Sequence, residues 1–217
     1  MTERVVEVET EVLDWLDQLP TASFATVVFF IGLLSLQGAL LARPHTTQLG
    51  GKVSRLRELR FFLGLEPAGI TYWFAPGQRL VLLTVLRDNH VPRRHEIERA
   101  QEALRRCVVH GQGSHVAWPA LRDGRMGAPG AAEIYDVTKL SYEVGRAVRS
   151  VRERRRLTTR ALADAAHTSE SSIARCEAGG IPPTAPVARR IVQALGCEHL
   201  LPVPFPVPVP EPVRWLR

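Results

Sequence analysis

Hydrophobic spacing along this chain changes period several times, and each change marks an element. Val6 and Val8 alternate weakly between Glu3 and Val12, as a first strand or a polar lead-in would. Val12 to Leu19 predicts a short amphipathic helix with Leu13, Trp15 and Leu16 inward. Ser23 to Gln37 predicts a very apolar helix that stops at Gly38. Arg43-Pro44 to Gly51 predicts a loop. Strands follow at Arg55 to Leu63, Gly69 to Phe74 and Arg79 to Leu86, the last two joined by the turn Ala75-Pro76-Gly77. The near-continuous apolar run Leu80 to Leu86 suits a central strand. Helical spacing returns in His95 to Val108, through Ile97, Ala100 and Leu104.

Beyond residue 110 the spacing is helical only. His110 to Gly130 is Gly-rich and predicts an irregular linker. Glu133 to Arg156 predicts a long helix with Ile134, Val137, Leu140, Val144 and Val148 on its inner face. Short helices follow in Leu157 to Gly196. From Pro202 to Pro212 every second residue is Pro, which forbids helix and ladder and predicts an extended tail. The expected architecture is an α+β domain over 1–110, helices on a small antiparallel sheet. A linker over 111–130, an all-α domain over 131–201 and a tail over 202–217 complete it.

Composition narrows this picture. Hydrophobic residues make up 45% of 217, enough for a packed core. The net charge of +6 is uneven. Residues 1–110 hold 13 Lys/Arg against 12 Asp/Glu, and residues 111–217 hold 15 against 10. The basic excess lies in the helical half, where phosphate neutralisation would need it. Three distant cysteines without a CxxC predict neither a disulfide framework nor a zinc site. The scattered histidines predict no metal, and no cofactor is expected. The acidic N-terminus lacks a signal-peptide pattern, so the expected location is cytoplasmic. Gln18 to Ala42 carries no charge and is long enough to span a membrane. Thr21, Ser23, Thr26, Ser35 and Gln37 interrupt it, which favours a helix buried in protein.

Leu157 to Leu195 is the most informative stretch. Thr158 or Thr159 can cap a short helix carrying Ala161-Leu162-Ala163, a turn follows at His167 to Ser169, and a second short helix ends at Gly179-Gly180. Two short helices joined by a tight turn are what a DNA-reading helix-turn-helix requires. Ser169 caps the second helix in this reading. Glu170, Ser171, Ser172 and Arg175 then project where base edges are met: Arg175 onto guanine, Glu170 onto a cytosine amine. Arg154, Arg155, Arg156 and Arg160 suit phosphate contacts. The competing reading is a helical bundle whose arginines face water.

These residues resemble the Xre-type (Cro/repressor-like) helix-turn-helix, over about 146–196. The match is carried by LT-x-x-x-LA, by S-x-x-x-IAR-x-E-x-G, and by PT before a last helix ending in ALG. Thr159 stands where the family usually has a DNA-contacting Gln, and His167 where the turn usually has Gly. The N-terminal half is similar to RelE/HigB-type toxins through TTQLGGKVSRLRELRF, ITYWFAPGQRLVLLTV and EIERAQEALRRC. His115 to Arg146 looks like the leader of a HigA-type antitoxin. The chain thus resembles a toxin and its antitoxin joined in one frame, with contact between the halves within one chain or between two.

The toxin resemblance implies ribosome-dependent mRNA cleavage without metal, by attack of a ribose 2′-hydroxyl on the adjacent phosphate. Arg60, Tyr72, Arg87 and His90 are the implied catalytic residues, with Arg57 and Lys52 nearby. Two departures weaken the chemistry. Gly69 replaces an expected Arg, and Asp88 stands where a Lys is usual. Each lost cation costs about 3–4 kcal/mol of transition-state stabilisation. The expected function is therefore a DNA-binding transcriptional autoregulator with an inhibited or degenerate toxin half. It would act as a homodimer on a double-stranded operator. The alternatives are an active mRNA endonuclease, with ribosome and mRNA as partners and its own antitoxin as restraint, and a membrane-anchored regulator.

Overall fold

A computed structural model describes residues 3–51, 54–86, 93–110, 116–179 and 182–197. The chain divides into two compact units, Met1–Phe61 with Glu66–Ile134, and Phe62–Leu65 with Tyr135–Arg217.

The first unit is built on a six-stranded sheet. Its strands are β1 (Val5–Val8), β2 (Thr46–Gln48), β3 (Arg57–Leu63), β4 (Glu66–Ala75), β5 (Arg79–Leu86) and β6 (Val116–Ala117). Their spatial order is β2-β3-β4-β5-β1-β6. The apolar run of β5 does occupy an interior position, between β4 and β1. The sheet is mixed rather than antiparallel throughout, because β1 runs parallel to β5, Val5 opposite Arg79 and Val8 opposite Leu82. Alternation marks Val6 and Val8 as inward but says nothing about direction. Glu7 and Arg79 lock this register through a two-point ion pair of 2.5 and 2.6 Å. β2 lies within the expected loop and pairs with β3, Thr46 opposite Leu59.

Helix α1 (Thr10–Gln18) buries Val12 and Leu16, while Leu13 and Trp15 are only half covered. Helix α2 (Thr21–Gln37) is the apolar segment. Phe24, Phe30, Ile31 and Leu34 are fully enclosed. Phe30 stacks on Phe61 of β3 with ring centres 5.4 Å apart. Its length and hydropathy would suit a membrane span, yet two-thirds of it is buried within the fold, so it is a core helix. Helix α3 (Arg93–His110) covers the sheet with Ala100, Ala103 and Cys107, which pack on Leu56, Trp73, Val81 and Leu83.

The expected linker is largely structured. Residues 111–115 lie outside the described set, but β6 pairs with β1 and helix α4 (Trp118–Met126) follows it directly. Trp118 is 4% exposed and its ring lies 6.4 Å from that of Phe24. Arg125 sits 4.3 Å over the same Phe24 ring and donates to the carbonyls of Leu16 and Leu19 at the end of α1. One tryptophan and one arginine thus give a Gly-rich stretch enough contact to order it.

The second unit holds most of α5 (Ala131–Arg154), with α6 (Thr159–Ala165), α7 (Glu170–Ala178) and α8 (Ala185–Ala194). The inner face of α5 differs from the apolar stripe. Thr138, Ser141, Tyr142, Gly145, Val148 and Arg152 are buried, whereas Leu140 is 49% exposed. The Pro-rich tail lies outside the described residues.

Trp118→Ala should destabilise the full chain by about 3–5 kcal/mol, measured by urea unfolding. A cost near zero would return 116–126 to the status of a linker.

Candidate nucleic-acid interface

Local chemistry starts each helix of the second unit. The Thr158 hydroxyl accepts the Ala161 amide at 3.0 Å, so Thr158 rather than Thr159 caps α6. The Ser169 hydroxyl accepts the Ser172 amide at 3.1 Å and caps α7. The turn between them places His167 at φ 48°, the left-handed region that a glycine would occupy more easily. α7 ends on Gly179 at φ 58°.

Packing then fixes the angle of α7. Leu162, Ala163, Ala166, Ile173, Cys176, Ile191 and Val148 form one core. A side chain at Gly145 would overlap the carbonyl of Cys176, and one at Gly179 would overlap the backbone of Tyr142. α5 and the end of α7 therefore touch backbone to backbone. Arg152 and Glu177 close the same corner. They are 8% and 6% exposed and share a two-point ion pair of 2.5 and 2.7 Å. Arg152 also donates to the Leu157 carbonyl at 2.9 Å, on the approach to α6. The bonds to Glu177 hold the guanidinium more firmly protonated than usual. Burial, and then Glu177, push the Cys176 thiol up to about 12, which keeps it inert.

The structure places the predicted DNA contacts at the start of α7, at the start of α6 and just after α5. Glu170 and Ser171 are exposed on the first turn of α7, and Arg175 is half-buried one turn on. Ser172 is half-buried, 2.8 Å from the Ser169 hydroxyl, and receives Arg175 at 3.3 Å; it supports the cap and the arginine more than it faces outward. Ser169 itself is spent on the cap. Ala174 is exposed four residues after Glu170, a position the residue types alone did not single out. Thr159 bonds to Glu170 at 2.6 Å. Arg155 and Arg160 are exposed and meet no carboxylate among the described residues, as phosphate-binding cations should be. Arg155 extends over Gly196. Glu177 was visible in the sequence within the S-x-x-x-IAR-x-E-x-G motif, but nothing in its spacing announced a buried ion pair with Arg152.

Of the four implied catalytic residues, Arg60 and Tyr72 are among those described. Arg87 and His90, with Lys52, lie outside the described residues. Alternation along β3 puts Arg57, Leu59 and Phe61 on one face and Glu58 and Arg60 on the other. Arg57 approaches Phe74 on the Tyr72 side of β4, 6.0 Å from the ring, so Arg60 points away from Tyr72. Arg60 is 43% exposed and paired at 3.0 Å with Glu58. Glu58 is buried, and its carboxylate lies 3.1 Å from where a Cβ of Gly69 would be. Tyr72 is wholly buried, and its hydroxyl meets no hydrogen-bond partner among the described residues. Burial pushes its phenol up to about 12, against a smaller opposing pull from Arg57. A phenol so enclosed stays protonated at neutral pH.

Residues 14–105 match the family model of the phage-derived Gp49-like proteins, and residues 143–201 match a helix-turn-helix domain model. The chain thus joins a Gp49-like domain of the RelE/HigB-like toxin class to a helix-turn-helix domain. No curated protein and no solved structure matches it.

Two substitutions test this geometry. Glu177→Ala should cost about 3–5 kcal/mol of stability in denaturant unfolding, because Arg152 is left buried and unpaired. Tyr72→Phe should change stability by no more than about 1 kcal/mol, since the hydroxyl makes no well-formed hydrogen bond but lies close to Arg57 and Thr46. In the parent chain stability should also fall as pH rises from 10 towards 12, where the unfolded phenol ionises and the folded one does not. Tyr72→Phe should flatten that part of the pH profile.

Proposed function

We propose that this protein is a sequence-specific DNA-binding transcriptional regulator of the Xre/HigA kind, in which the toxin-like domain no longer works as a nuclease. The observation that carries this reading is the capped helix α7. It carries Glu170, Ser171, Ala174 and Arg175 on its first two turns, and Arg155 and Arg160 are exposed on the same unit. Such a helix enters the major groove with its first turns toward the bases, and the arginines meet the strands. One helix-turn-helix covers one half-site, so a homodimer on a two-fold operator in the cytoplasm is the working form. Autoregulation follows from the resemblance to toxin–antitoxin pairs.

The dispersal of Arg60 and Tyr72 supports a degenerate toxin half. Ribose 2′-hydroxyl attack needs a proton acceptor and cations converging on one phosphate. Here Arg60 is tied to Glu58, and the Tyr72 phenol is enclosed on the other face, with Arg57 on its side of the sheet. The domain then serves as a folded partner for the antitoxin-like half, within one chain or between two.

Site selection from random duplexes with the full chain should yield a two-fold symmetric sequence. Arg175→Ala should cost about 1–3 kcal/mol and relax one base position per half-site. Arg155→Ala and Arg160→Ala should weaken all sequences alike and flatten the salt dependence. A chain that ignores every duplex at low ionic strength would sink the reading. For the toxin half, the full chain incubated with translating ribosomes should leave mRNA intact. Cleavage that Arg60→Ala abolishes would favour the nuclease alternative instead.

A further inference from the structure

Thr159 stands on the first turn of α6, and Glu170 opens α7. Across the turn the Thr159 hydroxyl donates to Oε1 of Glu170 over 2.6 Å. A threonine hydroxyl has a single hydrogen, and Glu170 takes it. Thr159 therefore keeps only lone pairs and has nothing to donate to a DNA phosphate. Glu170 is left with Oε2 and further lone pairs, all of them acceptors. Its negative charge suits the start of a helix but is repelled by the strands of a duplex. That charge is tolerated in the groove only against a donor on a base edge.

The major groove offers two such donors, N4 of cytosine and N6 of adenine. Guanine and thymine turn acceptors toward the same space. Adenine also places the N7 lone pair beside its amine, which leaves cytosine as the better partner. We infer that Thr159 is a positioning residue that holds Glu170 to read an exocyclic amine, cytosine first and adenine second, at one position of each half-site. The inference rests on α7 being the recognition helix. It changes the part that the family resemblance implies for Thr159, from a contact with DNA to the orientation of its neighbour. A carboxylate fixed before binding loses less rotamer freedom on docking, so the preference sharpens without a new contact.

The test is binding of the full chain to a selected duplex and to its single-base permutations, with thermal melting alongside. Wild type should prefer cytosine at one position per half-site. Thr159→Val keeps the shape of the side chain and removes its donor. It should lower discrimination at that position by about 5- to 10-fold and leave the other positions unchanged. Thr159→Ser should restore discrimination, and Glu170→Gln should move the preference to adenine, which an amide can meet at both N6 and N7. Equal weakening of every sequence by Thr159→Val would mark a phosphate contact or a purely structural bond and would overturn the inference. So would an unchanged profile, or a wild-type preference for guanine or thymine at the position that Glu170→Gln alters. Failure of wild type to bind any duplex is a different result, which removes the DNA-binding reading itself.

Discussion

The buried ion pair between Arg152 and Glu177 is the constraint on which the DNA-facing unit depends. Two charges taken out of water are expensive unless each is fully satisfied. Here both carboxylate oxygens meet the guanidinium, and its third nitrogen reaches the Leu157 carbonyl. The end of α5, the approach to α6 and the end of α7 are thereby held at one corner. An apolar contact would tolerate sliding; a two-point ion pair does not. The neighbouring glycines serve the same end, since Gly145 and Gly179 allow a backbone approach that any side chain would block. Recognition needs this rigidity, because a base contact is lost when its side chain is displaced by about an ångström.

Capping does the corresponding work at the other end of α7. Ser169 satisfies the first amides, Ser171 and Ser172 gather around it, and Arg175 rests on Ser172. The hydroxyls that a residue-by-residue reading assigns to DNA are partly spent on holding the helix start. What remains free to face a groove is narrower: a carboxylate, a methyl group and a guanidinium on adjacent turns. A recognition surface this small reads few bases, which is why pairing of two copies matters to the proposed function.

The sheet domain is organised by a different force. Its apolar helix α2 is enclosed by the sheet and by α4, so a segment that could have entered a lipid bilayer is consumed by the protein's own core. The same burial encloses one of the implied catalytic residues. Tyr72 contributes its ring to that core, with its hydroxyl near Arg57 and Thr46, while Arg60 emerges on the opposite face beside Glu58. Strand alternation is the physical reason: Glu58 and Arg60 share one face of β3, whereas Arg57 lies on the other, the Tyr72 side. Assigning Arg60 and Tyr72 to one site treats them as neighbours in pattern. The pleat separates them.

Local patterns determined much of this protein by themselves. The apolar runs of β5 and α2, the helical spacing of α3, the Ser169 cap and a threonine cap at 158 or 159 depend on interactions within a few residues, which a linear chain displays. His167 in the left-handed turn was legible for the same reason. Decisions among distant residues were not. The parallel pairing of β1 with β5, the ordering of 116–126 by Trp118 and Arg125, and the inner face of α5 all required a partner from elsewhere in the chain. So did the Arg152–Glu177 pair and the bond from Thr159 to Glu170. In α5 the apolar stripe misled because close backbone packing rewards small residues over large ones, and Leu140 was left outside. Spacing reports what a segment can bury; only the folded neighbour decides what it does bury.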